Sequence, residues 1–330
     1  MIKQIEGNNL TQLYKDILKN ILINGKEYSP RGKKTKELHP FIMTLHNPVN
    51  NIIYSPIRAI NPFFMISEFI WIITGKEDVD FVSKFNKNMR AFSDNGDILN
   101  GAYGPRIRNA GNRYYISQHD DRSISYGIKG VDQLAKVILK LKEDNDTRQA
   151  VIAIFDAYKD YQKTKDVPCN IFLKFTLRDN RLDLTAYVRS QDMILGFPYD
   201  AYHWTLLQQI ISKILNVKIG KYFHIMDSAH LYQQDYKMAN EIVEEKIECN
   251  DMLEFDEPMT SIEDLDLKMN HMHASIKEES HSVFMWQGEY MKNIEYMFKN
   301  HYRGIVTKGL INMFSELARL YNNKKLSKLK

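Results

Sequence analysis

The chain is poor in cysteine, with 2 in 330 residues, and Cys169 and Cys249 stand far apart. That spacing excludes a disulfide framework and a CxxC metal or redox motif, and it fits a reducing, cytoplasmic setting. Long apolar runs are missing too: no uninterrupted stretch reaches transmembrane length, and no charged-then-apolar leader opens the sequence. Net charge is small, formally +4, which argues against a dedicated nucleic-acid binder and suits a small anionic substrate. Lys324, Lys325, Lys328 and Lys330 read as a solvated end rather than a binding arm. No internal repeat is visible. What is present is an ordinary globular composition, 44% hydrophobic and 26% charged, enough for one large domain or two small ones.

The segment 167–204 carries the most information. Residues 169–177 alternate, with Ile171, Leu173, Phe175 and Leu177 on one face; 182–190 alternate with Leu182, Leu184, Ala186 and Val188 on one face. Such alternation marks half-buried strands. Asp179-Asn180 between them tolerates the left-handed backbone of a tight turn, which predicts a hairpin. The register then sets Leu177 opposite Leu182, Phe175 opposite Leu184, Leu173 opposite Ala186 and Ile171 opposite Val188. It also sets Cys169 opposite Ser190 and Asn170 opposite Arg189, unless a bulge intervenes. A thiol, a hydroxyl and a guanidinium thus share one end of the hairpin. A free cysteine is more often an inert small hydrophobe; an adjacent arginine would lower its pKa and raise its thiolate fraction. Both readings stand at this level.

Residues 8–23 have the spacing of an amphipathic helix ended by Asn24-Gly25. The polar loop carrying Arg31 reads as solvated or as an anion clamp, and residue pattern alone favours the former. Residues 60–75 predict a buried helix, with Asn61 as N-cap, Pro62 at the first helical position and Gly75 at the stop. Glu68 is its one charged residue, and a buried carboxyl must find partners or take a raised pKa, through structure or chemistry. Residues 86–130 are glycine-rich and read as active-site loops or a surface insertion. A helix at 131–143 precedes Arg148 and a buried strand at 150–155. A helix at 201–215 follows, for which Asp200 would be a good N-cap. A strand at 221–226 leads to His230 and Tyr232, and 282–323 is helical by pattern. His271-Met272-His273 is too weak a pattern for a metal site, and no metal is expected.

Several of these pieces together resemble one family. The run PCN, RSQDMILGFPYD and DSAHLY, with SEFIW, AYG and DTR upstream, is similar to the thymidylate synthase and deoxycytidylate hydroxymethylase superfamily over roughly residues 10–240. The resemblance implies an α/β (α+β) fold, a mixed β-sheet packed by helices, with one sheet face forming a homodimer interface. It implies a catalytic domain over 1–250, leaving 251–330 as a mainly helical extension. Cys169 would be the nucleophile adding to C6 of a pyrimidine nucleotide, Glu68 would order water and proton transfers, and Tyr103 would assist removal of the C5 proton. Arg31, Arg189 and Ser190 would hold the 5′-phosphate, with Arg148 reaching over from a second subunit. His230 and Tyr232 would bind the sugar 3′-hydroxyl, and Asp192 would contact the folate pterin. The one-carbon donor implied is 5,10-methylenetetrahydrofolate.

Departures from the family pattern bear on the substrate. Asp200 stands where thymidylate synthases carry an asparagine that reads uracil. A protonated aspartate can accept from cytosine N4 and donate to N3, and an ionised one can serve a ring protonated at N3. Either way a carboxyl can supply the proton N3 needs, which an amide cannot. Cytosine is therefore expected, with dCMP favoured over CMP by Ser190. Phe92 stands where an indole would pack on folate, and the chain end KKLSKLK lacks the family's closing sequence. A wetter site would favour capture by water and a 5-hydroxymethyl product. Gln149 and Asn170 also depart, from an arginine and a histidine respectively. The rival readings are a CMP hydroxymethylase, a thymidylate synthase acting on dUMP, and a retired nucleotide-binding regulator. Neither membrane nor nucleic acid is expected as a partner.

Overall fold

The computed structural model describes residues 3–119, 122–246, 254–279, 285–303 and 313–327; Cys249, Lys328 and Lys330 lie outside them. Strand β1 (Lys3–Gly7) leads into helix α1 (Leu10–Asn24), where the Asn9 side chain accepts from the Gln12 N–H as the N-cap. Strands β2 (Lys26–Tyr28), β3 (Thr35–Leu38) and β4 (Phe41–Leu45) precede helix α2 (Pro62–Ile73). Asn61 caps α2 by accepting from the Phe64 N–H, and every α2 residue except Glu68 is buried. Each large apolar side chain there contributes about 1.5–3 kcal/mol of transfer free energy. That surplus lets the helix carry one carboxylate at its otherwise dry surface.

The glycine-rich stretch is more structured than its composition predicts. It holds α3's neighbour loops, because α3 (Val79–Ser83) runs into them, then α4 (Tyr103–Arg108) and a hairpin of β5 (Arg113–His119) with β6 (Arg122–Ile128). Helix α5 (Gln133–Glu143) is followed by β7 (Val151–Ala153) and α6 (Ala157–Asp160). The strand expected to be buried is instead half-buried: β7 lies at a sheet edge, with Ile152 inside and Val151 and Ala153 exposed. The central hairpin is β8 (Asn170–Arg178) and β9 (Arg181–Val188), and β10 (Gln191–Asp192) continues from it. Helix α7 (Phe197–Leu215), strands β11 (Lys218–Met226) and β12 (Ala229–Tyr232), and helices α8 (Tyr236–Glu244), α9 (Ile262–Lys277), α10 (Glu289–Tyr302) and α11 (Met313–Ser327) complete the chain.

The main sheet is mixed, in the order β1-β4-β11-β9-β8-β7, with β1–β4 and β11–β9 parallel and the remaining pairs antiparallel. A second sheet runs β10-β12-β3-β2. Helix α7 lies on β9 and β11 and against α2, so nearly its whole circumference is buried. Helices α9 and α11 pack on α2 as well, joining the C-terminal helices to the same core. On the other face of the hairpin, half-buried Phe172 and Tyr187 stack with ring centroids 5.4 Å apart. Among the described residues no helix is long and apolar enough to cross a membrane.

The hairpin closes as its pattern predicts. Asp179 and Asn180 take φ values of 49° and 57°, and Leu177, Phe175 and Leu173 face Leu182, Leu184 and Ala186. Beyond Leu173 the register shifts. A bulge between Asn170 and Phe172 puts Asn170, not Ile171, opposite Val188. The expected pairing of Asn170 with Arg189 and Cys169 with Ser190 is therefore replaced, and the Arg189 N–H donates to the Cys169 carbonyl at 2.9 Å. One extra residue turns the Asn170 side chain to the buried face, where it is 0% exposed.

Candidate active site

The candidate site lies where the bulged end of β8, the start of α7, and helices α2 and α4 converge. Cys169 is a free, partly buried thiol. The Arg189 guanidinium donates from Nε to the Pro168 carbonyl at 2.9 Å and from Nη2 to the Val167 carbonyl at 2.8 Å, clamping the turn before the cysteine. Burial raises the thiol pKa to about 11; Arg189 lowers it, while Asp200, Asp166 and Asp192 raise it further. The expected arginine effect is present but outweighed, so the resting group is a thiol.

Asp200 is not the N-cap of α7. The helix starts at Phe197, four residues earlier than its apolar spacing predicts, because Pro198 suits the first turn and Gly196 takes the cap position. Freed from capping, the Asp200 carboxyl turns into the pocket and is 8% exposed. Asn170 Nδ2 donates to its Oδ1 at 3.1 Å and Gln191 Nε2 donates to its Oδ2 at 3.0 Å. Burial raises its pKa to about 6 against these two bonds, which lower it. Gly196 makes the approach possible: a Cβ there would meet Gln191 Nε2 at 3.0 Å.

Both amides are held from behind. The Trp204 indole, a donor only, donates to Asn170 Oδ1 at 3.0 Å, so the Asn170 NH₂ must face Asp200 and the Tyr103 hydroxyl, which accepts at 2.9 Å. Tyr103, at the first position of α4, has its pKa raised well above the usual phenol by burial, then by Asp200 and Cys169. Glu68 has its pKa raised well above the carboxylate range by burial and then by Asp200. Its nearest basic group, His203, has Nε2 3.8 Å away. That nitrogen lies 2.9 Å from the Met65 carbonyl, which can only accept, so it carries the hydrogen; burial lowers the His203 pKa to about 4. His203 is thus neutral, and Glu68 gains no ion pair from it.

The remaining predicted residues spread outward. Ser190 follows Arg189 at the pocket rim, half-buried. β10 pairs β12 with Asp192 beside His230, and Tyr232 meets the His230 ring edge-on at 5.3 Å. The loop with Arg31 joins this edge through Lys33, whose Nζ lies 5.9 Å over the Tyr232 ring; Arg31 itself is exposed at φ 52°. Asp192 Oδ1 accepts from the Ile194 and Leu195 N–H groups at 2.8 and 2.9 Å, shaping the loop into α7 and leaving Oδ2 for other partners. Phe92 is 47% exposed. Arg148 is not brought to the pocket of its own chain. Val151 pairs Lys174, so Arg148 sits near the turn end of the hairpin, roughly 25 Å from Cys169 at about 3.3 Å per residue.

The sequence pattern gave no role in the site to Gln191, His224, Tyr222, His203 or Trp204. Gln191 sits within the RSQD run, and its position beside Ser190 was the available signal. His224 and Tyr222 gave none, since their strand register decides where they point. No group of three metal-ligating side chains occurs among the described residues.

The family model for thymidylate synthase matches residues 12–281. A deoxyuridylate hydroxymethyltransferase of Bacillus phage SP01 is 39% identical over 233 residues, covering 70% of this chain and 59% of that protein. A protein of the same name from Pseudomonas phage M6 is 30% identical over 237 residues, covering 71% and 62%. A thymidylate synthase of Encephalitozoon cuniculi is 26% identical over 231 residues, covering 66% and 77%. The chain spans about three-fifths of the length of the two phage relatives. With its mixed sheet, its family-model match and its relatives in agreement, the chain belongs to the thymidylate synthase family.

Proposed function

We propose that this chain transfers a one-carbon unit to C5 of a pyrimidine deoxynucleotide monophosphate and finishes with water, giving a 5-hydroxymethyl product. One observation carries the reading: a free thiol, two carboxyls whose pKa values burial raises and a tyrosine hydroxyl lie close enough to perturb one another. A pyrimidine C5 is a poor nucleophile until sulfur adds at C6 and makes it carbanion-like. Cys169 would form that C–S bond, losing its proton as the substrate enters. Glu68 would supply protons as negative charge builds in the ring, Asp200 would share the N3 proton of the bound base, and Tyr103 would assist loss of the C5 proton. Methylenetetrahydrofolate would supply the electrophilic carbon. The second oxygen of Asp192 and the exposed Phe92 ring suit an aromatic heterocycle bearing N–H groups. Water then adds to the exocyclic methylene and the C6–S bond breaks, so that nucleotide, methylenetetrahydrofolate and water become hydroxymethyl nucleotide and tetrahydrofolate. Arg31, Arg189 and Ser190 would hold the phosphate, and His230 with Tyr232 the 3′-hydroxyl. Arg148 would complete the phosphate site from a second copy docked on the outer sheet face.

For the base we favour cytosine, because Asp200 presents two oxygens that already accept from amides, and cytosine brings the N4 donor they can take. Uracil is the second reading, carried by the phage relatives, whose names specify deoxyuridylate. A neutral Asp200 could read uracil by accepting from N3–H and donating to O4. The test is to incubate the protein with methylenetetrahydrofolate and dCMP, dUMP or CMP and identify each product by mass. Hydroxymethyl-dCMP supports the favoured reading; hydroxymethyl-dUMP moves the assignment to uracil with the chemistry intact. Formation of dTMP and dihydrofolate overturns capture by water, and turnover of none overturns the enzyme reading.

A further inference from the structure

Behind Asp200 a buried polar chain runs away from the pocket and ends inside the main sheet. Gln191 donates to Asp200 Oδ2 at 3.0 Å, and its Oε1 lies 2.9 Å from His224 Nε2. His224 Nδ1 lies 2.5 Å from the Tyr222 hydroxyl. Gln191 is 1% exposed, and His224 and Tyr222 are each 0% exposed. The directions of these bonds follow from chemistry. Burial lowers the His224 pKa to about 3, so the ring is neutral and carries one hydrogen. With that hydrogen on Nε2, His224 donates to the Gln191 carbonyl, Nδ1 accepts from the Tyr222 hydroxyl, and the Gln191 NH₂ is turned onto Asp200. A reversed Gln191 would put its carbonyl against Asp200 and would require a proton on that oxygen. The chain therefore favours a carboxylate at Asp200, opposing the burial that favours the acid.

From this arrangement we propose that Gln191, aimed by His224 and Tyr222, is a positioning residue that keeps Asp200 a hydrogen-bond acceptor and thereby sets the choice between cytosine and uracil nucleotides. The selectivity half rests on the functional reading above; the positioning half does not. An ionised Asp200 accepts from N4–H of cytosine and from a ring protonated at N3, but repels O4 of uracil. A neutral Asp200 can donate to O4. Loss of the Gln191 donor thus moves the site towards uracil. The titratable groups facing Asp200 are Glu68 from α2, Tyr103 from α4, Cys169 before β8 and Tyr222 from β11. None is a cation, so the amide bonds from Gln191 and Asn170 are what favour its charged form.

The experiment has two readouts. Carbon-13 NMR of carboxyl-labelled aspartates, with Asp200→Asn assigning the signal, gives the Asp200 titration midpoint in the free protein. Steady-state kinetics with dCMP and dUMP give the selectivity. Gln191→Leu is the main variant, and Gln191→Met, unbranched and similar in volume, serves if leucine disturbs folding. We expect the midpoint to rise by about one pH unit. We expect the ratio of kcat/KM for dCMP over dUMP to fall by at least about tenfold. An unmoved midpoint in a folded variant overturns the positioning role. A raised midpoint with an unchanged ratio overturns the selectivity role. If the unmutated protein turns over neither nucleotide while the midpoint rises, the positioning role stands and the functional reading falls.

Discussion

Asp200 shows how a single carboxyl changes meaning with its surroundings. Had it capped α7 it would be an ordinary anion at a helix end; one turn inside the helix it faces amides and the Glu68 carboxyl. Its folded pKa of about 6 lies above the ordinary aspartate value of 3.8. The unfolded chain therefore releases this proton at lower pH than the folded one, and the group's stabilisation is lost as pH rises through that window. Neutral His203 and His224, with pKa values lowered to about 4 and about 3, give an opposite slope, since the unfolded chain binds their protons first. The difference between the unmutated protein and Asp200→Asn isolates the carboxyl. We expect the variant to gain up to about 3 kcal/mol relative to the parent between about pH 4 and about pH 7, read from urea unfolding midpoints. A pH-independent difference would mean that Asp200 titrates normally. At Cys169 the expected effect is chemical: Cys169→Ser should lower kcat by more than about a thousandfold with little change in unfolding midpoint, and should abolish covalent capture of a 5-fluoropyrimidine nucleotide.

Among the elements, the β8–β9 hairpin was the most legible. Its alternation and its Asp-Asn turn made the register readable as far as Leu173, because side-chain period and turn geometry are local. The bulge at its end was not readable, since nothing in a run of Cys, Asn, Ile and Phe states which residue is extra. Asn180 sits at φ 57°, where a β-branched residue is strained. Asn180→Val should lower stability by about 1–2 kcal/mol, and Asn180→Gly should be neutral or slightly stabilising, both measured as urea midpoints. Helix α2 was equally readable from its cap, its proline and its terminal glycine. The role of Glu68 within it was open, because a buried carboxyl with a cationic partner and one without look alike in sequence. The structure supplies a neutral histidine where an ion pair would need a charged one.

For the molecule as a whole, the distance of Arg148 from the pocket of its own chain is the informative fact. If two copies pair through the outer sheet face, Arg148 of one serves the phosphate of the other. Arg148→Glu and Cys169→Ser, each inactive alone, should then recover up to about a quarter of normal activity when mixed and allowed to exchange subunits, through hybrid dimers with one intact site. No recovery despite proven exchange would place Arg148 outside the site. The C-terminal helices α9 and α11 pack on α2, so they support the helix that carries Glu68.

The sequence by itself determined the β8–β9 alternation and turn, the cap and start of α2, the family and the set of reactive side chains, because periodicity, caps and short motifs are properties of neighbouring residues. It could not determine the charge states of that set. The thiol, both carboxyls and the histidines take theirs from burial and from partners up to 138 residues away along the chain, such as the Met65 carbonyl at His203. Burial and long-range hydrogen bonding exist only once the sheet and helices have packed, and so only the tertiary structure decided what these groups do.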